Sequence, residues 1–432
     1  MARPPEADAP LEHSGGGSGH NISPLDHRRS AIFIRPSGLT MRPFSSLFVL
    51  IGTLLAAGGY GATFFLSMHF RSLGGSDLDT GLALAAATLG TLVGVLLVGW
   101  FAQRIGAART MALAALCIGF GVAGFALIER ISPFSLFPGF LVGLGWGAFC
   151  LAAPMSLTER TSNADRGSWF MRFGTVQMAG VGGCPAVAAF AIHSLRWPLT
   201  SVLYVIGGLC AVAALLLETF GRISPRSRAT PASPVQKRWL REIGAIFRTR
   251  AAYPIAMISL CACVFSGLMT FQMSLVQGTG LQAGTFFSVY AVTVVVARWL
   301  LARVVIRLHR EIATKVLLVM MLLGVAAVSA VPYNAMFHPA SAILLGTGYG
   351  LVYPTIQTQA VNDSAEMHQP AALTWFVVAY FIGTFGFPAI GGWVLVHMGP
   401  HALVALIAAC GLAALTLAIL QDRHGVKSLS KA

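Results

Sequence analysis

The sequence predicts an all-α membrane protein in which twelve transmembrane helices form two six-helix bundles related by pseudo-twofold symmetry. Three observations support this prediction. The composition is too apolar for a water-soluble chain, apolar runs long enough to cross a bilayer recur along it, and the first half of the chain repeats in the second. The composition predicts that lipid surrounds the chain, the apolar runs predict its helices, and the repeat predicts how those helices are arranged.

The amino-acid composition is that of a protein embedded in lipid. Of the 432 residues, 56% are hydrophobic and 10% are charged, whereas a soluble domain carries about 25% charged residues. A soluble chain of this length would need more polar surface than these residues provide. A helix that faces hydrocarbon needs no polar face, so the composition indicates a lipid bilayer as partner. The net charge of +14 does not indicate nucleic acid, because the basic residues lie in short segments between apolar runs.

No catalytic or cofactor-binding motif is recognisable in the sequence. The seven cysteines all lie inside apolar runs, and none has a second Cys or a His at metal-ligand spacing. We therefore expect packing roles for them rather than disulfides or a metal site. Nucleophile triads and phosphate-binding Gly-Lys-Ser/Thr loops are not found either. The sequence predicts neither an enzyme nor a protein that holds a cofactor.

Apolar runs long enough to cross a bilayer begin after a polar N-terminal segment. A span needs about 20 residues to cross about 30 Å of hydrocarbon. Residues 1–43 predict a disordered tail, 44–220 and 251–421 two six-helix bundles, 221–250 a basic linker between them, and 422–432 a second tail. The predicted spans are 44–68, 79–102, 108–128, 133–157, 168–192, 198–219, 251–276, 281–304, 313–332, 339–361, 371–397 and 400–420.

The distribution of Lys and Arg predicts the orientation of the spans. If the N-terminus is cytoplasmic, the outside loops contain only Arg71, Arg130 and Arg196 of the 29 basic residues. Cytoplasmic loops of membrane proteins are enriched in Lys and Arg. Both termini and the linker are therefore predicted to be cytoplasmic, in a multi-pass protein of the cell inner membrane that we expect to be a monomer.

The two predicted bundles repeat each other at a constant offset of 203 positions. Because each half has an even number of spans, the repeats are parallel and related by an axis along the membrane normal. The aligned residues are Gly143, Gly145, Trp146 and Gly147 with Gly346, Gly348, Tyr349 and Gly350; Gly180, Gly183 and Pro185 with Gly383, Gly386 and Pro388; Arg104 with Arg307; and Thr63 and Ser67 with Ser266 and Thr270.

The segment between spans 2 and 3 carries a family motif. It reads Gly99-Trp-Phe-Ala-Gln103-Arg104-Ile-Gly106-Ala-Ala-Arg109 and resembles the signature loop of the major facilitator superfamily, Gly-x-x-x-Asp-Arg-x-Gly-x-[Arg/Lys]-[Arg/Lys]. The resemblance implies the major facilitator fold and a role for Gly99, Gln103, Arg104 and Gly106 in conformational change. In the family, the acid at the Gln103 position helps to latch the two halves through charge pairs. Gln keeps the hydrogen bonds but loses that charge.

Two further elements resemble exporters of this family. Span 5 carries Gly180-Val-Gly-Gly-Cys-Pro185 and span 11 carries Gly383-Thr-Phe-Gly-Phe-Pro388, both similar to a Gly-x-x-x-Gly-Pro element. Proline removes a backbone donor and kinks a helix, and glycine allows close helix contact. Pro185 and Pro388 are therefore predicted to take part in conformational change, with kinked packing helices as the alternative.

The resemblance also implies that spans 1, 4, 7 and 10 line a central cavity. Tyr349, Tyr353 and Gln357 recur at four-residue spacing and so form one stripe of a helix; an intramembrane Gln needs a partner. For the aromatic side chains, packing is the alternative role. The predicted substrate-binding residues are Tyr60, Thr63, Trp146, Arg172, Thr270, Arg298, Tyr349, Tyr353 and Gln357.

Arg172 and Arg298 are basic residues predicted inside spans, where a charge costs several kcal/mol and tends to mark function. The alternative for Arg172 is a side chain that extends to water at the cytoplasmic face; for Arg298 it is a structural pair with a carbonyl or an acid. No Asp or Glu lies at the centre of a predicted span. We therefore expect an anionic or zwitterionic solute, and proton coupling would have to use acids at span ends or a histidine such as His69.

Three functions are compatible with these features. The first is a secondary transporter that exports a small organic solute, since the chain has no recognisable ATP-binding element. The second is an uptake permease of the same fold. The third is a facilitator-like protein that no longer transports and serves as an assembly factor or sensor, which the missing acid at Gln103 favours. A polar cavity between the halves would support the first two, and a plug of apolar side chains would contradict them.

Overall fold

The computed structural model describes residues 43–161, 165–224, 243–301, 304, 308, 310–365 and 368–429, and these residues form helices and no strands. The all-α prediction is confirmed. Except for Pro43, the predicted tail lies outside the described residues, as do Arg307 and positions 225–242 of the linker. The remaining linker contains the short helix Ile243–Phe247.

The first half contains six long helices. Helix α1 has three parts, of which the middle one is a 3₁₀ turn. Its parts are Pro43–Gly61, Ala62–Phe65 and Leu66–Ser72. The others are α2 (Asp77–Ile105), α3 (Ala107–Ala126), α4 (Leu136–Thr158, after the 3₁₀ turn Pro133–Ser135), α5 (Arg166–His193) and α6 (Leu199–Ile223).

The second half follows the same plan. It contains α7 (Ala252–Thr270, followed by the turn Gln272–Leu275), α8 (Ala283–Leu300), α9 (Arg310–Ala330) and α10 (Phe337–Asn362). Helix α11 begins as Gln369–Phe381, widens into a π-helix at Ile382–Gly386 and continues into Phe387–Leu429. The last stretch is broken at Gly399, where φ is 85°, so we name residues 387–398 as the end of α11 and 400–429 as α12.

Ten helical stretches among the described residues are long and apolar enough to cross a membrane. One of them, Ala371–Asp422, includes the break at Gly399 and therefore covers two predicted spans. Helix α10 has 26 residues and is long enough to cross, but it is more polar than the ten. A helix thus lies at each predicted span, and the crossing of the bilayer by all twelve stays a prediction.

Local sequence explains where α2 begins and ends. Ser76 precedes the helix, and its backbone N–H donates to the Asp79 carboxylate at 2.7 Å, which satisfies a donor that the first helical turn leaves free. At the other end Gly106 has a φ of 92°, a conformation that glycine adopts at no steric cost. Asp77 and Arg104 therefore mark opposite ends of the bundle, which we call the Asp77 end and the Arg104 end.

Glycines at repeated positions bring helices together in the same way in both halves. A Cβ on Gly147 of α4 would lie 2.7 Å from the carbonyl oxygen of Thr91 in α2. At the equivalent place, a Cβ on Gly350 of α10 would lie 3.3 Å from the Val294 side chain in α8. Small residues allow helix backbones to approach closely in lipid. The predicted repeat is therefore also present in the packing.

The two halves meet along two helix pairs, α2 with α11 and α5 with α8. A Cβ on Gly284 of α8 would lie 2.6 Å from the Ala189 side chain of α5. In α2, a Cβ on Gly81 would collide with the Pro388 backbone oxygen, and one on Gly392 of α11 would collide with the backbone oxygen of Asp77. Gly81 aligns with Gly284 at the 203-residue offset, and Ala189 aligns with Gly392. The two seams are therefore equivalent under the pseudo-twofold axis.

Candidate functional site

An aromatic layer lies between the two halves. In the first half, the Tyr60 ring of α1 stacks on Trp146 of α4 with 4.7 Å between centroids. In the second half, the Phe265 ring of α7 stacks on Tyr349 of α10 at 4.3 Å. Trp146 and Tyr349 are repeat-equivalent positions, so each half contributes one stacked pair of the same design.

Edge contacts join these two pairs across the molecule. Phe64 of α1 meets Phe265 edge-on at 5.9 Å, and Tyr60 meets Phe385 of α11 edge-on at 5.5 Å. Such T-shaped contacts are favourable arrangements of aromatic rings. Together Tyr60, Phe64, Trp146, Phe265, Tyr349 and Phe385 form what we call the aromatic layer; each of these six residues is at most 1% exposed.

Several buried polar atoms at this layer have no hydrogen-bond partner. Among them are Nε1 of Trp146 and the hydroxyl oxygen of Tyr290, whose ring on α8 lies 5.8 Å from Phe265. Both residues are buried. A buried donor without a partner costs about 1–3 kcal/mol, and phenylalanine would fill much of the same space without that cost. The centre of the protein therefore contains two donors that can receive an acceptor from a ligand.

Arg298 of α8 lies on the Arg104 side of the layer. Its Nε donates to the backbone carbonyl of Gly350 at 2.9 Å, which is the carbonyl pairing anticipated as its structural role. One terminal nitrogen, Nη1, would be 3.2 Å from a Cβ on Gly174 of α5, so the guanidinium reaches the seam between the halves. The side chain is partly exposed, and the side chains of Tyr290, Tyr349 and Tyr353 lie around it.

Tyr353 and Gln357 continue the α10 stripe toward the Arg104 end, and both are partly exposed. Edge contacts with Phe376 at 5.3 Å and with Tyr380 at 5.4 Å hold the Tyr353 ring. The α10 amide that binds a neighbouring helix is not Gln357 but Gln359, whose Nε2 donates to Thr314 at 2.8 Å. Because Gln357 keeps accessible surface, its amide need not be satisfied by another helix.

The two prolines free backbone carbonyls at equivalent positions, Val181 in α5 and Thr384 in α11, because a proline nitrogen cannot donate to the carbonyl four residues earlier. In α11 this happens within the π-helix, and the hydroxyl of Ser266 on α7 donates to the Thr384 oxygen at 2.5 Å. Thr63 is the equivalent of Ser266 but donates to the Tyr60 carbonyl of its own helix at 2.8 Å. The Val181 oxygen instead faces Gly61 of α1, and a Cβ on that glycine would lie 2.6 Å from it.

A polar network around one buried carboxylate joins the two halves at the Asp77 end. The Asp77 carboxylate is 2% exposed and accepts the Ser274 hydroxyl at 3.0 and 3.1 Å to its two oxygens. It also accepts from Ser67 and pairs with Arg71. Arg71 in turn donates to the Gln277 amide oxygen at 2.6 Å. Ser67, Arg71, Asp77, Ser274 and Gln277 form what we call the Asp77 bridge.

Other predicted residues at this end are buried in packing. Thr270 is 1% exposed and lies one turn before the second-half members of the bridge. Next to it, Gln272 contacts the His338 ring nitrogen at 2.9 Å, and both side chains are buried. His69 is also buried, and its Nε2 has no hydrogen-bond partner.

The signature loop lies at the Arg104 end. Gly99 is buried, whereas Gln103 and Arg104 are exposed, and the Arg104 guanidinium stacks on Trp100 at 4.0 Å. Gly106 is buried and accepts the Thr110 hydroxyl at 2.9 Å through its carbonyl. The loop therefore shapes the turn between α2 and α3, in keeping with its glycines.

Arg172 is separated from the aromatic layer. Its side chain is exposed, and its guanidinium lies 5.2 Å from the Trp169 ring on the same helix. This is the arrangement expected of a side chain that extends to water, so the structure gives no support for an anion contact there. Arg298 alone of the two predicted intramembrane arginines reaches the centre.

The structure thus brings most predicted site residues together and adds others. Tyr60, Trp146 and Tyr349 meet in the aromatic layer, with Arg298, Tyr353 and Gln357 on its Arg104 side. Sequence reasoning missed several participants, which appear in the sequence as ordinary aromatic or polar residues. The residues missed are Phe64, Asp77, Phe265, Ser274, Gln277, Tyr290 and Phe385.

Comparison with known proteins agrees with this architecture. A family model described as Major Facilitator Superfamily matches residues 48–383. A relative named "Uncharacterized MFS-type transporter YcaD", from Escherichia coli O139:H28 (strain E24377A / ETEC), is 22% identical over 364 residues, which are 82% of this chain and 90% of that protein.

Two solved structures are similar in fold. The nucleoside transporter NupG has a TM-score of 0.68 at 14% identity and covers 88% of this chain and 98% of its own. The POT family transporter PepTSo has a TM-score of 0.73 at 12% identity and covers 91% of this chain and 100% of its own. At such identities the similarity shows the fold and leaves the solute open.

Proposed function

Because the chain belongs to the major facilitator superfamily, we propose that it is a secondary active transporter that exports a small organic solute across the inner membrane by alternating access. The observation that carries the proposal is the difference between the two ends. At one end the Asp77 bridge joins the halves through polar contacts, of which those between Asp77 and Ser274 are buried. On the other side of the aromatic layer, Arg298, Tyr353 and Gln357 keep accessible surface. We infer that a solute reaches these residues from the Arg104 end in this state.

The proposed orientation places the Arg104 end and both termini in the cytoplasm. The enrichment of Lys and Arg in the loops of that end supports it. In this orientation the accessible residues Arg298, Tyr353 and Gln357 face the cytoplasm, which is the state that loads a solute for export. The resemblance of the Pro185 and Pro388 elements to those of exporters supports the same direction.

The packing supports a rocking movement of one half against the other. The seams between the halves consist of close glycine contacts, such as those of Gly81, Gly284 and Gly392, and such contacts can separate without breaking a large hydrophobic core. The π-helix beside Pro388 adds a local irregularity in α11, and π-bulges are frequent at functional sites. Opening the Asp77 end requires the Asp77 bridge to break.

The non-transporting alternative requires an apolar plug between the halves. The aromatic layer does fill the centre with rings, but Tyr60, Trp146 and Tyr349 carry polar groups, and Tyr290 and Arg298 add donors beside them. An inert plug would have no reason to bury these donors, so the layer is better explained as one face of a ligand site.

Inverted membrane vesicles test the proposal. Vesicles that contain the protein are incubated with a cell extract and a proton gradient, and the small molecules retained inside are compared by mass spectrometry with vesicles that contain Arg298→Ala. We expect at least one solute to accumulate with the native protein and to be lost with the variant at equal membrane levels. Arg172→Ala, which changes an exposed arginine, serves as the matched control and should retain transport.

The outcomes separate the rival functions. Accumulation in right-side-out vesicles but not in inverted ones would identify an uptake permease. If neither orientation accumulates any solute above empty vesicles, the protein is not a transporter and the proposal fails. Accumulation that survives collapse of the proton gradient would exclude proton coupling but leave alternating access in place.

A further inference from the structure

The polar groups around the aromatic layer can each donate a hydrogen bond, and the Arg298 guanidinium adds a positive charge. Trp146 Nε1 and the Tyr290 hydroxyl are buried without partners, and the Arg298 guanidinium lies on the adjacent side of the layer. Among the residues that the structure describes, no carboxylate pairs with Arg298. A site that presents donors and a positive charge binds a ligand rich in acceptors and disfavours a cation.

The position of Arg298 suits a carboxylate. Its Nε bond to the Gly350 carbonyl fixes the plane of the guanidinium. The Nη1 edge then faces Gly174, which has no side chain to occupy the space beside it. A guanidinium held in this way can form two parallel hydrogen bonds with a carboxylate, which adds geometric selectivity to the charge.

The surrounding walls suit a flat apolar body. The partly exposed Tyr353 ring is held by edge contacts with Phe376 and Tyr380, so its orientation is fixed before a ligand arrives. Beyond it lie the ring of Trp146, which stacks on Tyr60, and the ring of Tyr349, which stacks on Phe265. Aromatic rings prefer offset stacking or edge contacts with one another, and a planar ligand can make both.

We propose that the solute is a planar organic anion, of the aryl carboxylate class, whose carboxylate binds Arg298 and whose ring packs against Tyr353. The hydroxyl of Tyr290 is the next donor toward the Asp77 end. In this proposal the carboxylate reaches that hydroxyl when the aromatic layer opens. This inference rests on the proposed transport function, because it assigns the chemistry of the same site.

Equilibrium binding to the full chain in detergent tests the proposal with a defined probe. The probe is 2-naphthoate; 2-naphthylmethanol and 2-naphthylmethylamine are its neutral and cationic matches, and decalin-2-carboxylate is a non-planar anion. We expect 2-naphthoate to bind at least about tenfold more tightly than the alcohol and the amine, the factor that one charge-assisted hydrogen bond supplies. Decalin-2-carboxylate keeps the carboxylate, so its weaker binding measures what the planar ring contributes through stacking and edge contacts.

Variants then assign the contacts. Arg298→Gln should weaken 2-naphthoate binding about tenfold or more and leave the alcohol unchanged, and Arg298→Lys should recover part of the loss because it restores charge without the planar fork. Tyr290→Phe, which removes one hydroxyl, should weaken 2-naphthoate by a smaller factor. Arg172→Gln is the control and should bind like the native protein. Helical circular dichroism and a single gel-filtration peak establish that each variant is folded.

Three results would overturn the proposal: binding of the alcohol or the amine as tight as that of 2-naphthoate, binding of decalin-2-carboxylate as tight as that of 2-naphthoate, or native affinity in a folded Arg298→Gln. Failure of the transport function is a separate result. If vesicles transport a cationic or non-planar solute, the substrate class assigned here is wrong while the transporter stands. If vesicles transport nothing yet 2-naphthoate binds through Arg298, the binding site stands and the transport function falls.

Discussion

Replacing Asp77 by Ala should shift the protein toward a state that is open at the Asp77 end. The Asp77 carboxylate belongs to the first half, and its partner Ser274 belongs to the second. In the closed state this carboxylate is 2% exposed. Removing it takes away an attraction that exists only while the halves are together, so the free-energy difference between the closed and open states must fall.

The structure sets the size of the effect. The Ser274 hydroxyl donates to the two carboxylate oxygens at 3.0 and 3.1 Å, which amounts to one shared hydrogen bond to a charged group. Such a bond contributes about 1.5–3 kcal/mol. The Arg71 bond to Gln277 at 2.6 Å survives the substitution and is left out. Since about 1.4 kcal/mol changes an equilibrium tenfold, the closed-to-open ratio should fall about 10-fold to about 150-fold.

Distances between spin labels measure this ratio directly. Arg130 and Tyr333 are exposed, lie in loops of the Asp77 end and occupy equivalent positions of the two halves. Labels at these positions, in a protein whose seven native cysteines are replaced by Ala, report how far the halves are apart. With Asp77→Ala a longer distance should appear or grow in the distribution.

Asp79 provides the matched control for this experiment. It is a second acid in the first turn of α2, but it accepts only from Ser76 of its own half. Asp79→Ala should therefore lower the stability of α2 by about 0.5–2 kcal/mol without changing the label distance. An unchanged distribution in Asp77→Ala, or equal opening in both variants, would refute the reasoning.

Two further predictions each compare a substitution with a control substitution. Gly392→Ala should open the Asp77 end in the same label experiment, because the new Cβ collides with the backbone oxygen of Asp77 in the closed state; Gly208→Ala, which has nothing within 4 Å, should not. Ser266→Ala should lower the free energy of unfolding by about 1–3 kcal/mol, since it leaves a carbonyl of the π-helix without its donor. Thr63→Val removes only a bond within one helix and should cost less; equal losses of thermal stability in these two variants would contradict the role of Ser266.

The helices could be predicted from sequence because their signal is local. An apolar run of about 20 residues in a chain with 10% charge has few alternatives to a membrane helix. The helix ends were less accurate. The apolar run predicted the second span at 79–102, whereas α2 spans Asp77–Ile105. The predicted start is too late because an acidic residue lowers the hydropathy even where it lies in the first turn of the helix. Ser76 followed by Asp79 three positions later was the capping signal that marked the true start.

The site was predictable where the repeat, a helical stripe or a charge inside a span marked a residue. Trp146 and Tyr349 were recognised as equivalent, and both lie in the aromatic layer. Asp77 and Ser274 are 197 positions apart and do not align in the repeat. Each appears in the sequence as an ordinary polar residue near a span end. Their contact depends on how the halves are placed in one conformational state, and neither span length nor periodicity contains that information.

The Asp77 bridge sets a condition on the solute, because the bridge has to break before the Asp77 end can open. The glycine seams of α2 with α11 and of α5 with α8 are equivalent under the axis that relates the two halves. Asp77 breaks this symmetry, since its repeat-equivalent position is Gly280. A solute that is to open the Asp77 end must then bind the open state more tightly than the closed one by at least the factor that the bridge contributes. With one hydrogen bond counted, that factor is about 10 to about 150.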